Sequence, residues 1–415
     1  MSKNVAFVTL GCKLNFSETS TLAREFVKNG YVQVLPSKNA DIYVINTCTV
    51  TEHADKKCRN IIRKIHKNSP KAIIAVTGCY AQLKPDEILK MEGVDLVLGA
   101  DKKGDLFQIV SKIQRGVNIS TSCEINKIET IFPAYSSGER TRSFLKLQDG
   151  CDYNCSYCTI PLARGKSRNV PIEQLVRQAE EIALMGMKEI VLTGVNIGDF
   201  GKTTGESFLD LLKRLNDVEG IQRYRISSIE PNLLTEEIID WIAKGDKFLP
   251  HFHIPLQSGC NKILAAMRRR YNVEIFSDKV QLIRSKMENV FFGIDVIVGF
   301  PGETDKDFED TYNFLCNLKP AFLHIFPYSR RANTFATEMP DQVREIDKSS
   351  RVARLTALSE KLHYEFCEAN IGREEKVLFE STKKGGLMFG YTRNYIRVER
   401  PYDKSQIGKI VKVTI

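Results

Sequence analysis

The sequence of 415 residues lacks any apolar run that could cross a membrane, because a spanning helix needs about 20 consecutive apolar residues. The longest candidate, from Val290 to Phe300, is interrupted by Asp295. The amino-terminal stretch MSKNVAFVTLGC is also too short to hold the apolar centre of a signal peptide. These two absences predict a cytoplasmic protein that has no membrane partner.

Strong compositional bias is also missing. Apolar residues make up 42% of the chain and charged residues 27%, both near the average of globular proteins, which excludes wholesale disorder and fibrous repeats. Sixty lysines and arginines against 51 aspartates and glutamates give a net charge of +9, which permits a polyanionic partner without requiring one. A chain of this length is expected to form about two to four domains.

Cysteine, in contrast, is plentiful, with 11 residues. A cytosolic chain does not use so many thiols as a disulfide framework, because that compartment keeps thiols reduced. Metal binding, catalysis and plain burial are therefore the three roles to consider.

Strand and helix patterns alternate over the first hundred residues. Such alternation indicates βαβ units and a parallel sheet, so we expect a flavodoxin-like or Rossmann-like domain over residues 1–115, followed by a linker over 116–140. The predicted strands are 5–10, 42–46, 72–77 and 94–98, and the predicted helices are 17–29 and 52–67.

The alternation resumes in a larger unit over residues 141–340. Six β/α units indicate a partial (β/α)6 barrel, whose active face lies at the carboxyl ends of its strands. A charged helical linker is expected over 341–370, and short strands with Gly, Asn and Pro turns over 371–415 favour a small β-barrel. The six predicted barrel strands are 144–147, 189–193, 224–227, 252–256, 293–298 and 323–328.

The carboxyl-terminal segment holds a surplus of positive charge. Ten Lys/Arg minus five Asp/Glu over 371–415 gives +5, which is over half of the net charge of +9. This surplus predicts a nucleic-acid contact, with a solvated basic surface as the alternative. A second basic run, Arg268-Arg269-Arg270-Tyr271, is interpreted as a solvated helix face, with phosphate contact and base stacking as the alternative.

Three cysteines follow the first predicted barrel strand in a C-x3-C-x2-C pattern, at Cys151, Cys155 and Cys158. A loop this short can curl around one small inorganic body and offer it three sulfurs, which leaves one iron of a four-iron cluster without a protein ligand. A structural zinc site is the alternative, but zinc takes four ligands and the nearest downstream histidine is His251. The spacing therefore predicts a [4Fe-4S] cluster with an open iron.

Three further cysteines stand at the ends of predicted strands. Cys12, Cys48 and Cys79 each follow a strand of the amino-terminal domain, directly after Gly or Thr. Carboxyl ends of parallel strands share one edge, so these thiols are predicted to meet and hold a second cluster; three buried small side chains are the alternative. The other five cysteines match no ligand position and are predicted to be structural: Cys58, Cys123, Cys260, Cys316 and Cys367.

These motifs resemble those of known enzymes. The C-x3-C-x2-C loop, with Tyr157 inside it, resembles the radical S-adenosylmethionine (SAM) enzymes, and the motifs around the other three cysteines resemble the methylthiotransferases. Residues 371–415 resemble the RNA-binding TRAM module of the methylthiotransferases. The methylthiotransferase and TRAM resemblances rest on Gly11-Cys12-Lys13-Leu14-Asn15, Asn46-Thr47-Cys48-Thr49-Val50, Thr77-Gly78-Cys79-Tyr80-Ala81-Gln82 and Gly390-Tyr391-Thr392-Arg393-Asn394-Tyr395.

The resemblance implies the chemistry of that family: one SAM methylates a sulfur on an auxiliary [4Fe-4S] cluster, and a second SAM, bound to the open iron, is cleaved to a 5′-deoxyadenosyl radical before the methylthio group is transferred. We further expect a tRNA partner, an electron donor such as a flavodoxin or ferredoxin, and a monomer. Strand-end residues of the barrel are expected to contact SAM, although each also suits an ordinary turn. These candidate SAM contacts are Gly194, Asn196, Ser227, Glu230, Gln257, Gly299 and Tyr328.

Within the family, the segments 46–51 and 54–57 resemble the branch that acts on N6-threonylcarbamoyladenosine at position 37 of tRNA. Segments 148–151 and 160–165 agree with that branch. The expected reaction places a methylthio group on C2 of this adenine, in the anticodon stem-loop. The alternatives are isopentenyladenosine in tRNA, an aspartate of a ribosomal protein, or a zinc-dependent RNA-binding module without catalysis.

Overall fold

The structure, a computed structural model, describes residues 3–49, 51–121, 124–138 and 140–415. The prediction that Cys123 is structural lies outside the described residues, as does Val50 of the second cysteine motif. No helix in the described part of the chain is long and apolar enough to cross a membrane.

The amino-terminal domain is built on one parallel sheet. Its strands are β1 Asn4–Thr9, β2 Val32–Val34, β3 Ile42–Thr47, β4 Ile73–Gly78, β5 Leu96–Leu98 and β6 Ile119–Thr121. Its helices are α1 Lys13–Lys28, α2 Glu52–Asn68, α3 Cys79–Leu83, α4 Pro85–Leu89 and α5 Leu106–Val110. The strand order is β2-β1-β3-β4-β5-β6, and apolar clusters cover both faces of the sheet.

The four strands predicted for this domain are confirmed. The two additional strands, β2 and β6, have three residues each, which is too short to show a period-2 pattern in the sequence. β6 pairs with β5 and extends the sheet to Thr121.

The central domain contains the six predicted strands, all parallel. The six strands are β7 Arg142–Lys146, β10 Glu189–Thr193, β11 Arg223–Ile226, β12 His251–Gln257, β13 Phe291–Val298 and β14 Phe322–Pro327. The domain also contains two short strands, β8 Gln148–Asp149 and β9 Arg168–Asn169, which form a separate antiparallel pair. Its helices are α6 Ile160–Arg164, α7 Ile172–Leu184, α8 Phe208–Asn216, α9 Glu236–Lys244, α10 Asn261–Ala266, α11 Val273–Lys286, α12 Asp305–Leu318 and α13 Phe335–Glu338.

These six parallel strands form two three-stranded sheets, β7-β10-β11 and β12-β13-β14. A parallel bridge between Ser228 and His253 joins them, so the strands follow one another in chain order. Among the described residues β14 does not pair with β7, and the series stays open there, as expected for an incomplete barrel. Helix α1 of the amino-terminal domain packs beside β7, where the rings of Phe16 and Phe144 meet edge to face at 5.6 Å.

The carboxyl-terminal part consists of a long helix and an antiparallel sheet. The elements are α14 Glu345–Glu368, β15 Glu374–Lys384, β16 Leu387–Tyr391, β17 Arg397–Pro401 and β18 Ile410–Thr414. The strand-rich character predicted for this segment is confirmed, and its strand order is β17-β16-β15-β18. Within residues 371–415 the edge strands β17 and β18 do not pair with each other, so the hydrogen-bonded sheet is open rather than a closed barrel.

Arginines at the amino-terminal ends of the barrel strands attach this sheet to the barrel. Arg142 forms an ion pair with Glu380 at 2.8 Å, and Arg223 donates to the carbonyl oxygen of Lys376 at 2.5 Å. Both arginines also lie within 4 Å of the buried carboxylate of Glu189. The sheet therefore covers the end of the barrel opposite to the cysteine loop.

A buried ion network joins the amino-terminal domain to the barrel. The carboxylate of Glu18, on α1, is 1% exposed and lies 2.5 Å from the Lys103 ammonium and 2.7 Å from that of Lys146 on β7. Arg164 and Asp149, both from the barrel, complete the network at 2.8 Å from each other. Three cations thus surround two carboxylates, and these cations lower the pKa of Glu18 and of Asp149 against the effect of burial.

Replacement of Glu18 by Gln is expected to lower the free energy of unfolding by about 3–5 kcal/mol, because it leaves buried cations without their counter-ion. The matched control is Glu173→Gln, which breaks an exposed ion pair with Arg214 and should leave stability nearly unchanged. Urea unfolding at neutral pH measures both. An equally small effect of the two substitutions would contradict the structural role of the network.

The network also predicts the direction of a pH effect. Because the folded-state pKa of Glu18 lies below its ordinary value of 4.5, its contribution to stability is present above that value and is lost as the pH falls. The wild-type protein should therefore lose more stability than the Glu18→Gln variant does as the pH falls from about 5 to about 3. Parallel stability curves for the two proteins would contradict this assignment.

Candidate active site

The loop between β8 and α6 holds the three cysteines of the C-x3-C-x2-C motif. It begins at Gly150, whose φ is +74° and where a Cβ atom would lie 2.0 Å from the carbonyl oxygen of Lys166, so only glycine fits. Cys151 N–H donates to the carbonyl oxygen of Gly165 at 3.0 Å, and Cys158 N–H donates to that of Cys155 at 3.1 Å. These contacts fix a compact loop that carries three thiols at the carboxyl end of the first barrel strand.

Each of these three sulfurs accepts a hydrogen bond from an N–H donor. The backbone N–H groups of Tyr153 and Ile160 donate to Cys151 and Cys158, both at 3.4 Å. The guanidinium of Arg269 donates to Cys155 at 3.1 Å. Hydrogen bonds to sulfur stabilise the thiolate ligands of an iron–sulfur cluster, so the donor set and its surroundings fit a cluster held by three cysteines.

Burial opposes ionisation of these thiols when no metal neutralises them. Burial, with a smaller contribution from the neighbouring thiols of the loop, raises the pKa of Cys151 to about 11 and that of Cys158 to about 12. These thiols would therefore ionise only when a bound cation stabilises the thiolates, as metal binding to cysteine requires.

The second triad lies at the carboxyl edge of the amino-terminal sheet. Cys12, Cys48 and Cys79 follow β1, β3 and β4, which are adjacent and parallel. Glycines permit the close approach of these strand ends. Gly11 (φ +96°) has no room for a Cβ atom beside the Cys48 sulfur, and Gly78 (φ +100°) has none beside the backbone of Thr47. The predicted gathering of these three cysteines at one sheet edge is therefore seen in the structure.

Arg164 connects the two triads. Its guanidinium donates to Asn15 Oδ1 at 2.6 Å and to Asp149 Oδ1 at 2.8 Å. Asn15 in turn donates to the carbonyl oxygens of Leu10 and Thr47, at the ends of β1 and β3, at 2.8 and 2.9 Å. Asp149 immediately precedes Gly150 and the first cysteine loop. The position of one triad relative to the other is thus set by direct hydrogen bonds across the domain boundary.

A large cavity lies between the barrel, the amino-terminal domain and the carboxyl-terminal sheet. Its volume is about 640 Å³, within the range of about 300–1,000 Å³ typical of small-molecule sites. Cys12 lines this cavity together with cationic, histidine and aromatic side chains. Besides Cys12, the lining includes Lys13, Phe16, Arg140, Arg142, Phe144, Arg225, His251, His253, Phe291, Phe322, His324, Tyr391, Tyr395 and Arg397.

A second cavity, of about 170 Å³, adjoins the C-x3-C-x2-C loop. Cys158, Gln257 and Tyr328 line it, so the structure brings two of the seven candidate SAM contacts to the same space as a cluster cysteine. Asp295 also lines this space and lies 2.6 Å from Nε2 of His253, which lines the large cavity. The Asp295–His253 pair therefore stands between the two cavities.

Three further candidates are polar groups at strand ends. Asn196 and Ser227 are buried, and Asn196 Oδ1 and Ser227 Oγ have no hydrogen-bond partner among the described residues. Such buried polar atoms are rare without a partner, so these two are suited to a ligand. Glu230 instead forms an ion pair with Arg269, and burial raises its pKa while Arg269 opposes that shift.

Close packing explains why glycine occupies the two glycine positions among the candidate SAM contacts. A Cβ atom at Gly194 would lie 2.6 Å from Ile197, and one at Gly299 would lie 2.3 Å from the side chain of Lys348 on α14. Close packing within the protein accounts for glycine at both positions, whether or not SAM approaches them. Their assignment to SAM binding remains a prediction.

The prediction that residues 268–271 form a solvated helix face is confirmed for the exposure of Arg268 and Arg270 but is wrong about the helix and about Arg269. These residues form a loop between α10 and α11, and the side chain of Arg269 is only 3% exposed. Arg269 contacts both Cys155 and Glu230, while Arg270 lies over the ring of Tyr153 at 3.9 Å. No local pattern in the sequence separates Arg269 from its two neighbouring arginines, because its contacts with Cys155 and Glu230 join residues 114 and 39 positions apart.

Cys58 and Cys260, which lie outside the two triads, show ordinary packing. Cys58 is fully buried, and burial raises its pKa to about 12. The Cys260 thiol donates to Asp307 at 3.4 Å and packs against Tyr328 and Phe300. A structural role for these cysteines stays a prediction that is compatible with these contacts.

Comparison with known proteins assigns the class of the fold. Residues 4–99 match the family described as uncharacterized protein family UPF0004, and residues 145–315 match the radical SAM superfamily. The solved structure of the radical SAM methyltransferase TsrM from Kitasatospora setae aligns with a TM-score of 0.58, covering 81% of this chain and 77% of that chain at 15% identity. The barrel and its cysteine loop are those of a radical SAM enzyme.

Full-length relatives define the family more narrowly. The threonylcarbamoyladenosine tRNA methylthiotransferase MtaB of Bacillus subtilis is 41% identical over 99% of this chain and 93% of its own length. The tRNA-2-methylthio-N(6)-dimethylallyladenosine synthase of Alkaliphilus oremlandii is 33% identical over 100% of this chain and 90% of its own. The chain therefore belongs to the radical SAM tRNA methylthiotransferases, enzymes that use a [4Fe-4S] cluster and SAM.

Proposed function

We propose that this enzyme converts N6-threonylcarbamoyladenosine at position 37 of tRNA into its 2-methylthio derivative, with one cluster on each cysteine triad. The main supporting observation is that Cys12, a member of the second triad, lines the 640 Å³ cavity. A nucleoside bound in that cavity lies beside a cluster held by this triad. Four relatives named for threonylcarbamoyladenosine share 35–41% identity with the chain, against 31–33% for those named for dimethylallyladenosine, which favours the first substrate.

The chemistry explains why such an enzyme needs more than acid and base side chains. The C2–H bond of adenine is neither acidic nor open to nucleophilic displacement. When bound, the two clusters and two SAM molecules would supply a radical that removes the hydrogen atom, a cluster sulfur that replaces it and the methyl group that this sulfur carries. The protein has to hold these groups near one base and keep water away from them.

The named residues suit these tasks. Cys151, Cys155 and Cys158 would hold one cluster, and the N–H donors to their sulfurs stabilise the thiolates. Arg164 keeps the second triad at a fixed position relative to that loop. The aromatic side chains of the large cavity, among them Phe144, offer a face to a base and exclude water.

The basic carboxyl-terminal sheet is proposed to hold the anticodon stem by its phosphates. Lys383 and Lys384 are exposed on β15 and have the charge for this contact. Tyr391, at the end of β16, and Tyr395, in the turn that follows it, stack on each other and line the large cavity, so this part of the carboxyl-terminal segment borders the proposed base site.

Nucleoside mass spectrometry of total tRNA, from cells with and without the gene, tests the proposal. We expect 2-methylthio-N6-threonylcarbamoyladenosine to disappear from the mutant and its unthiolated precursor to accumulate. Loss of a different methylthio-adenosine would contradict the substrate, and unchanged tRNA would contradict a tRNA substrate altogether.

The double substitution Lys383→Gln and Lys384→Gln is expected to weaken tRNA binding most at low salt. Each charge that neutralises one phosphate contributes about 0.7–0.9 to the steepness of log affinity against log salt, so the loss of both should reduce the slope by up to about 1.4–1.8. Affinities measured over a range of salt concentrations check this expectation. Lys306→Gln, on α12 of the barrel, is the control, and an equal slope for wild type and double variant would contradict the role of the sheet.

A further inference from the structure

The cationic side chains that line the large cavity differ in whether they form an ion pair with a carboxylate. Arg142 pairs with Glu380 at 2.8 Å, Arg225 with Glu189 at 3.1 Å, and Arg397 with Glu399 at 3.2 Å. Arg140 lies over the ring of Phe16, 4.5 Å from its centre. Lys13, by contrast, forms no ion pair, hydrogen bond or ring contact with any residue that the structure describes.

The position of Lys13 also favours an anionic ligand. Lys13 is the first residue of α1, a helix of 16 residues without an acidic side chain in its first turn, so the helix dipole adds to the lysine charge. No aspartate or glutamate is among the described residues that line the cavity. Asp295, which lies 2.6 Å from His253, attracts Lys13 electrostatically but forms no ion pair with it, so no carboxylate contacts this ammonium until a ligand supplies one.

Lys13 directly follows Cys12, and both side chains line the same cavity. In adenine, C2 and the carbon that bears N6 flank the same ring nitrogen, N1. A base whose C2 approaches a sulfur held by the Cys12 triad therefore brings its N6 substituent to the same region. The threonylcarbamoyl substituent ends in a carboxylate, whereas a dimethylallyl substituent has no charge.

We propose that the Lys13 ammonium binds the carboxylate of the N6-threonylcarbamoyl group and thereby selects this nucleoside over adenosines without a charged substituent. This inference rests on the proposed function. A charge-assisted hydrogen bond of this kind contributes about 1.5–3 kcal/mol, which corresponds to roughly tenfold to hundredfold in affinity.

The test compares three anticodon stem-loops that differ only at position 37, which carries the threonylcarbamoyl group, its methyl ester or unmodified adenosine. Dissociation constants are measured with the cluster-loaded enzyme, as wild type and as Lys13→Met, Lys13→Arg and Arg140→Met. Wild-type enzyme should bind the acid about tenfold or more tightly than the ester. Lys13→Met should remove that preference without changing the affinity for unmodified adenosine, and Lys13→Arg should keep most of it.

Arg140→Met is the matched control, because it removes a cation of the same cavity that is already in contact with a ring. It should weaken all three stem-loops by the same factor. Iron content and cofactor cleavage, measured for every variant, identify a loss of affinity that comes from a damaged cluster. Because the acid–ester comparison in the wild type needs no substitution, it remains decisive if Lys13→Met does not fold.

Equal affinity of the wild type for acid and ester would overturn the role of Lys13. A uniform loss for all three ligands in Lys13→Met would also overturn it, since that pattern indicates binding of an RNA phosphate. Assays of conversion of the threonylcarbamoyl nucleoside to its methylthio product distinguish an error about Lys13 from an error about the proposed function. Wild-type enzyme that leaves the threonylcarbamoyl nucleoside unconverted contradicts both proposals, whereas conversion with an unchanged Lys13→Met variant contradicts only the second.

Discussion

Replacement of Cys155 by Ala is expected to abolish production of 5′-deoxyadenosine from SAM. Cys155 is the middle ligand of the C-x3-C-x2-C loop, and its sulfur accepts the hydrogen bond from Arg269 at 3.1 Å. With two thiols left, the loop cannot hold a cluster with one open iron, and electron transfer to SAM is lost. The measurement is anaerobic incubation with SAM and reductant, followed by chromatography for 5′-deoxyadenosine.

Cys316→Ala is the control for this substitution. Cys316 is a half-buried residue of α12, outside both triads, and its replacement should leave cofactor cleavage near the wild-type rate. Continued 5′-deoxyadenosine production by the Cys155→Ala enzyme would show that the radical cluster is held elsewhere.

Replacement of Cys48 by Ala is expected to stop methylthio transfer while cleavage of SAM continues. Cys48 stands at the end of β3, between the strand ends that carry Cys12 and Cys79, and its sulfur is packed against Gly11. Its loss removes one ligand of the second cluster and leaves the C-x3-C-x2-C loop untouched. The variant should therefore still cleave SAM but form no methylthio product, and iron content should fall to about half.

Cys58→Ala is the matched control, since Cys58 is a buried thiol in the same apolar cluster as Cys48. Its replacement removes one small buried group and should leave product formation intact. Full methylthio transfer by the Cys48→Ala enzyme would refute the second cluster, and loss of SAM cleavage in that variant would place Cys48 in the radical site instead.

The strands and both cysteine triads were predictable because their signals are local. Short β-branched runs such as 42–46 and 293–298 can be buried in a parallel sheet, and helices with polar faces separate them. A residue that follows such a strand lies at the ligand-binding edge of the sheet. The strands alone therefore placed Cys12, Cys48 and Cys79 at one edge of the sheet.

The residues that join the domains could not be predicted in this way. Glu18 pairs with Lys103 and Lys146, which are 85 and 128 positions away, and Arg331 donates to Thr49 and Asp55, at least 276 positions away. No periodicity or motif links such distant charges in one sequence. Tertiary packing alone decides whether an arginine such as Arg269 is buried against a sulfur or exposed to solvent.

Radical removal of the C2 hydrogen and its replacement by a methylthio group are tested together with a stem-loop whose threonylcarbamoyladenosine carries deuterium at C2. The enzyme, loaded with iron and sulfide, is incubated with SAM and reductant, and nucleosides and 5′-deoxyadenosine are analysed by mass spectrometry. We expect a 2-methylthio product and deuterium in the 5′-deoxyadenosine. Absence of the methylthio product, or a product formed while the 5′-deoxyadenosine stays unlabelled, would contradict it.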